Sequence, residues 1–196
     1  MNRTVTLVVA AVAVILGALV IAVTSGAFSD KAPAASAVGG PFVLVDQTGK
    51  RVDEKVLKGK WSAVFFGYTY CPDICPGTLQ ALTNATDQLG PRGKDFQIVF
   101  ISIDPTRDTP EAIRAWLAAN QAPANTLGLT GTPEQAAAAE KAYKVFAQKQ
   151  GEGSGYLMNH STVVYLMDPK GRFVKPLPYN LPDEIARQTI SAMRGD

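Results

Sequence analysis

Residues 61–76 read Trp-Ser-Ala-Val-Phe-Phe-Gly-Tyr-Thr-Tyr-Cys-Pro-Asp-Ile-Cys-Pro, and this stretch decides how the rest of the chain is read. Trp61 to Gly67 is a short apolar run rich in aromatics, too short for a typical helix, and reads as a buried strand. Pro72 and Pro76 disfavour α-helix at the residues before them, so the segment carrying Cys71 and Cys75 reads as a shaped loop. From Pro76 the pattern changes to Leu79, Leu82, Thr83 and Leu89 on polar spacing. That predicts a helix with proline in its first turn and Cys75 at or beside its N-cap.

The flanking sequence continues the alternation of strand and helix. Upstream, Phe42 to Val45 reads as a strand, followed by a turn at Asp46 to Lys50 and by Arg51-Val52. Downstream, Phe96 to Ile103 is a second buried strand ending at Asp104-Pro105. Thr109-Pro110-Glu111 opens a helix containing Ile113, Trp116 and Leu117, with Thr109 as N-cap and Pro110 at the first helical position. Leu127 to Leu129 reads as a short strand. Thr132-Pro133-Glu134-Gln135 repeats the helix start, with Gln135 completing a capping box. Gln150 to Gly155 reads as a flexible loop and lacks the lysine and spacing of a phosphate-binding loop. Thr162 to Met167 and Arg172 to Val174 flank a turn at Asp168 to Gly171, and a last helix follows Pro182. The expected fold is α/β, a three-layer α/β/α domain over residues 42–196 with a central mixed sheet, in an order that resembles a thioredoxin-like fold.

Before that domain, Thr4 to Gly26 carries no charged residue, long enough for the roughly 20 apolar residues that span a bilayer. Residues 1–27 are therefore expected to form a single N-terminal transmembrane helix. Arg3 favours a cytoplasmic N-terminus and an exported body. Ala35-Ser36-Ala37 offers a cleavage site, but it lies well past the apolar run. Residues 28–41, rich in Ala, Ser, Gly and Pro, read as a flexible linker reaching on the order of 45 to 50 Å when extended. Composition is that of a globular protein, with 46% hydrophobic and 18% charged residues and a formal net charge of +2, which makes no case for nucleic acid.

Cys71 and Cys75 are the chain's two cysteines and His160 is its one histidine. Outside the cytoplasm two such cysteines can form a structural disulfide, closing a short loop of modest entropic effect. The alternative is metal. Two thiolates and an imidazole are soft to borderline donors that suit Cu(I). Structural zinc normally takes four protein ligands, iron–sulfur clusters usually take four thiolates, and the Cys-x-x-Cys-His motif of covalent haem is absent. Three residues, not two, separate the cysteines, which weakens a redox reading without excluding it. A Cys–His nucleophile pair finds no orienting partner in the sequence. Near a helix N-terminus, Cys75 is expected to have a lowered pKa.

At these residues the sequence resembles the Sco/SenC family of copper-binding cytochrome c oxidase assembly proteins. The resemblance is carried by Phe66 to Pro76, by Ile101-Ser102-Ile103-Asp104-Pro105-Thr106-Arg107-Asp108-Thr109, and by His160-Ser161-Thr162, and it covers the body from about Phe42 onward. It implies that Cys71, Cys75 and His160 bind one copper ion, as Cu(I) or Cu(II). It further implies delivery of that ion to the binuclear copper site of oxidase subunit II, in the manner of a non-enzymatic metallochaperone. The alternative it carries is a thiol-disulfide oxidoreductase that reduces the copper-site cysteines of the same subunit. Further partners would be another periplasmic copper chaperone or a thiol reductant, and the location a bacterial inner membrane with the domain in the periplasm. Many members of the family carry Asp immediately before the ligand histidine, where this chain has Asn159, so tuning and docking there are expected to differ. Asp73 and Asp104 are further candidates for ordering the site or contacting a partner, with turn formation the alternative for each. Met158 could offer a thioether, but reads first as a packing residue.

Overall fold

The computed structural model describes Asn2 and residues 38–195. The expected transmembrane helix and most of the expected linker lie outside the described residues, and among the described residues no helix is long and apolar enough to cross a membrane. The described chain runs β1 (Val43–Asp46), β2 (Arg51–Asp53), β3 (Trp61–Gly67), α1 (Ile74–Gln88), β4 (Phe96–Ser102), α2 (Pro110–Ala119) and β5 (Leu127–Thr130). It continues through α3 (Pro133–Tyr143), β6 (Ala147–Gln150), β7 (Leu157–His160), β8 (Val164–Met167), β9 (Phe173–Leu177) and α4 (Pro182–Arg194).

Seven strands form one sheet in the order β2-β1-β5-β4-β3-β8-β9, with β6 and β7 pairing separately. The centre of the sheet is parallel, β3 beside β4 and β4 beside β5, whereas β8 pairs antiparallel to β3 and β1 antiparallel to β5. The expected mixed sheet is thus present. In β3 the side chains alternate between its two faces, as the strand repeat requires. Ala63 and Phe65 enter a core shared with Leu79 and Leu82 of α1, Ile113 of α2 and Ile185 of α4. Val64 and Phe66 enter a second core with Leu44, Leu129, and Ala139 and Tyr143 of α3. Burial on both faces explains why β3 and β4 read as unbroken apolar runs. Fully burying each such side chain contributes about 1.5–3 kcal/mol.

Local signals place most boundaries. Thr109 Oγ1 accepts from the Ala112 N–H at 3.2 Å, and Thr132 and Gln135 form the expected capping box. The helix after the cysteine loop begins at Ile74 with Asp73 as N-cap, so Pro76 lies in its first turn and Cys75 two residues past the cap, as expected. Proline is tolerated there because the first N–H groups of a helix have no intrahelical acceptor. Two bounds need correction. The first concerns Gln150 to Gly155, read as a flexible loop. Gln150 is the last residue of β6, and the following turn closes an antiparallel hairpin in which Ala147 pairs with His160. The polar sequence Gln148-Lys149-Gln150 hid that strand. The next strand starts at Val164, two residues later than expected.

Gly128 lets α2 lie close against β5. A Cβ there would collide with the Ile113 methyl Cγ2 and stand 2.9 Å from Leu117 Cδ1. Gly128→Ala is therefore expected to destabilise the domain by about 1–3 kcal/mol, the range for overpacking a filled core. Urea unfolding read by circular dichroism measures it, and an unchanged midpoint would show that α2 is not seated as described.

Candidate metal centre

Strands β3 and β4 end side by side, with Gly67 opposite Ser102, so the segments that follow them meet at the carboxyl end of the parallel sheet. Open α/β sheets commonly bind ligands at this edge. The Ile103 N–H donates to the Gly67 carbonyl at 2.9 Å, and the Cys71 N–H donates to the Tyr68 carbonyl at 3.1 Å, turning the chain back after β3. Asp108 holds this turn from the neighbouring segment. It accepts from the Thr69 N–H at 3.1 Å, from the Thr69 hydroxyl at 2.6 Å and from the Ser102 hydroxyl at 2.6 Å.

Cys75 is 1% exposed and packs behind β3. A Cβ on Gly67 would stand 2.7 Å from its sulfur, so only glycine leaves room for the sulfur to lie against the strand. Its backbone N–H, in the first turn of α1, donates to Cys71 Sγ at 3.3 Å. Cys71 itself is half-buried, and neither cysteine is in a disulfide.

His160 reaches the sulfurs from the other side. The β7 repeat turns Met158 and His160 inward and Leu157 and Asn159 outward. His160 Nδ1 lies 2.8 Å from the Ser161 carbonyl, an acceptor only, so Nδ1 is a donor there, and in the neutral imidazole the Nε2 lone pair is left for a metal. That Nε2 lies 3.7 Å from Cys75 Sγ. Tyr68, buried beneath, meets the imidazole edge-on with centroids 5.9 Å apart.

Charge in the pair is divided against the expectation for Cys75. The Cys75 S–H donates to the Cys71 sulfur, and His160 and the backbone N–H groups of Asp73 and Cys75 add to it. Together they outweigh burial and hold the Cys71 thiol at about 4. Cys75 is pushed up, first by that same bond, then by burial and the neighbouring Cys71 charge. The physical reason is chiefly that the buried Cys75 keeps its proton and shares it with the more accessible Cys71 sulfur, and the Cys75 N–H at the helix start adds a smaller contribution in the same direction.

The three donor atoms lie within 4.8 Å of one another, and no fourth Cys, His, Asp or Glu joins them among the described residues. Metal–sulfur and metal–nitrogen bonds of about 2.3 and 2.0 Å place two donors on one ion roughly 3.5 to 3.8 Å apart at tetrahedral to trigonal angles. The Cys75–His160 separation already falls there. Two sulfurs and one nitrogen without a fourth protein ligand fit copper better than structural zinc.

The remaining candidates sort differently. Asp73 is exposed, and its side chain makes no capping bond; only its carbonyl accepts, from the Gly77 N–H at 3.0 Å. Asn159 is exposed on the outward side of β7. Met158 is partly buried and packs on the second core. Asp104, 4% exposed, is paired with Arg107 at 2.5 Å and accepts from the Tyr156 hydroxyl at 2.6 Å. Sequence reasoning did not assign Tyr68, Arg107, Asp108 or Tyr156. The available signal was two acids and an arginine in five residues directly after a buried strand.

The SCO1/SenC family profile matches residues 30–194. The chain belongs to the SCO1/SenC family. It is 44% identical over 157 residues to the mitochondrial Protein SCO1 homolog 1 of Arabidopsis thaliana, covering 79% of this chain and 45% of that protein. This Sco chain thus spans less than half of that relative's length. Its fold is similar to Bradyrhizobium japonicum ScoI solved with copper bound, at a TM-score of 0.71 and 41% identity, over 78% of this chain and 97% of that one. It is also similar to BsSco, described as a Sco-family cytochrome c oxidase assembly protein with a disulfide switch, at a TM-score of 0.65 and 26% identity, over 84% and 95% of the two chains. Copper is therefore held by a Sco relative, and this chain presents a Cys-Cys-His group able to hold a metal.

In the reduced, metal-free protein, Cys71 is expected to alkylate with iodoacetamide at a rate nearly flat from pH 8 to pH 6, because its thiolate persists down to about pH 4. Cys75 is expected to stay slow throughout. A Cys71 rate falling about tenfold per pH unit below the ordinary thiol value near 8.5 would contradict the charge division.

Proposed function

We propose that this chain is a copper metallochaperone, a carrier and not an enzyme, that takes one copper ion on Cys71, Cys75 and His160. The observation that carries the reading is the convergence of three copper-type donors from two separate segments, with no fourth protein ligand beside them among the described residues. A three-donor site leaves a position open to an incoming ligand. The site also faces an open recess of about 450 Å³, lined by Cys71, Asp73, Ile74, Leu157 and His160 among others. Transfer proceeds by ligand exchange, an incoming thiolate or imidazole displacing the donors in turn.

The recipient in this reading is the binuclear copper site of cytochrome c oxidase subunit II. The description of BsSco as a member of an oxidase assembly family supports it. The domain works in the periplasm of a bacterium, held to the inner membrane by the apolar segment at residues 4–26. A periplasmic copper chaperone or a thiol reductant would reload or reduce it.

A second reading, thiol-disulfide exchange, is favoured by one observation: the accessible sulfur is also the one held as thiolate. Cys71 would attack one sulfur of a disulfide in the recipient, and the other would leave as thiolate. Cys75 would then give up its proton and close a Cys71–Cys75 disulfide, transferring two electrons to the recipient. An external thiol reductant is needed to reset the pair.

His160→Ala separates the two. On the copper reading Cu(II) affinity falls more than about 100-fold, since losing a ligand exceeds the 10- to 100-fold typical of losing a ligand's outer partner. Oxidase assembly in the variant strain then requires added copper. Normal assembly without supplementation would contradict the carrier reading and favour thiol exchange.

A further inference from the structure

Arg107 stands between the two segments that supply the donors. Its guanidinium carbon lies 4.5 Å from the ring centre of Tyr70, which directly precedes Cys71, and 3.5 Å from that of Tyr156, which directly precedes β7. Its Nη1 donates to the carbonyls of Ser154 at 3.2 Å and Tyr156 at 3.0 Å, both in the β6–β7 turn. Its Nε pairs with Asp104, whose other oxygen accepts from Tyr156, so the aromatic ring is held from above and at its hydroxyl. The guanidinium side chain is 12% exposed although Tyr70, stacked over it, is 60% exposed. Such a planar cation can stack on two rings and bond in its own plane at once, which a lysine ammonium cannot.

Otherwise the hairpin is seated by Ala147 and Met158, which pack on the second core, and by the Tyr68 ring against His160. Its strands pair only with each other, apart from the main sheet, and Gln148, Lys149, Gln150, Leu157 and Asn159 are exposed. We propose that Arg107, braced by Asp104, is a positioning residue that pins the β6–β7 hairpin to the cysteine loop and thereby sets His160 against Cys75. The inference deepens the metal reading of the site and rests on it for the copper readout, whereas its effect on the hairpin stands without metal. Arg107 touches no donor atom and acts through Tyr156 and the strand that follows.

Removing Arg107 alone would strand a buried carboxylate, so the test uses Arg107→Met with Asp104→Asn, and separately Tyr156→Phe, which deletes one hydroxyl and spares the fold. In the metal-free proteins, amide hydrogen exchange in residues 147–160 is expected to quicken about tenfold in the double variant and by less in Tyr156→Phe, with the amides of β3 and β4 unchanged. Cu(II) affinity is expected to fall about 10- to 100-fold, and this loss should vanish when the substitutions are made in a His160→Ala background. Equal losses with and without His160, or unchanged hairpin exchange, would overturn the proposal. Should the double variant not fold, Tyr156→Phe decides on the same two readouts. His160→Ala measured alone keeps the two readings apart: no effect of that change on Cu(II) would defeat the metal reading, and hairpin exchange alone would then judge the clamp.

Discussion

The sulfur of Cys75 occupies the space that a side chain on Gly67 would fill, and the rest of the site is arranged around that contact. Because the last residue of β3 has no side chain, the first turn of α1 can press a thiol against the sheet edge. This fixes where the helix starts and where its free N–H groups point. One of them meets the Cys71 sulfur, and the buried Cys75 thiol donates to the same atom, so the close approach that buries one cysteine also helps to charge the other. His160 then needs only to bring one nitrogen to a sulfur already packed against the strand.

Much of this was legible in the chain. The apolar runs of β3 and β4, the Thr-Pro helix starts and the cysteine loop all carry strong local signals, and their elements stand where the patterns put them within a residue or two. The donor set was legible because Cys71, Cys75 and His160 are the only residues of their types. What was hidden depends on contacts between segments distant in sequence. The strand Ala147–Gln150 is polar because its sheet is exposed, so no apolar alternation announced it. The segment from Gln150 consequently read as a flexible loop, whereas it turns between paired strands that end at His160. The division of charge was also hidden: a helix N-terminus was visible, but not which cysteine is buried and donates its thiol proton to the other.

The segment after β4 shows how tertiary structure reassigns residues that local reasoning gives to turns. Turn formation was the alternative reading for Asp104, and Asp108 had no assigned role. Asp108 holds Thr69 at the entrance to the cysteine loop, and Asp104 orients Arg107 and Tyr156 on the histidine side. One short segment between β4 and α2 thus serves both halves of the donor set. Copper carriage and thiol exchange draw on the same geometry, since a thiolate beside a protonated thiol serves as a ligand pair or as an attacking and resolving pair. His160 is where they part, because metal needs its lone pair and exchange does not.

The central claim is that one copper ion is bound by both sulfurs and by His160 Nε2. Since the chain has a single histidine, growth on ¹⁵N-histidine labels that one imidazole. Electron paramagnetic resonance of the Cu(II)-loaded protein is expected to show coupling to an imidazole nitrogen that changes from the ¹⁴N to the ¹⁵N pattern on labelling, at one copper per chain. A Cu(II) spectrum whose nitrogen coupling is indifferent to the label would place His160 outside the metal site and contradict the account.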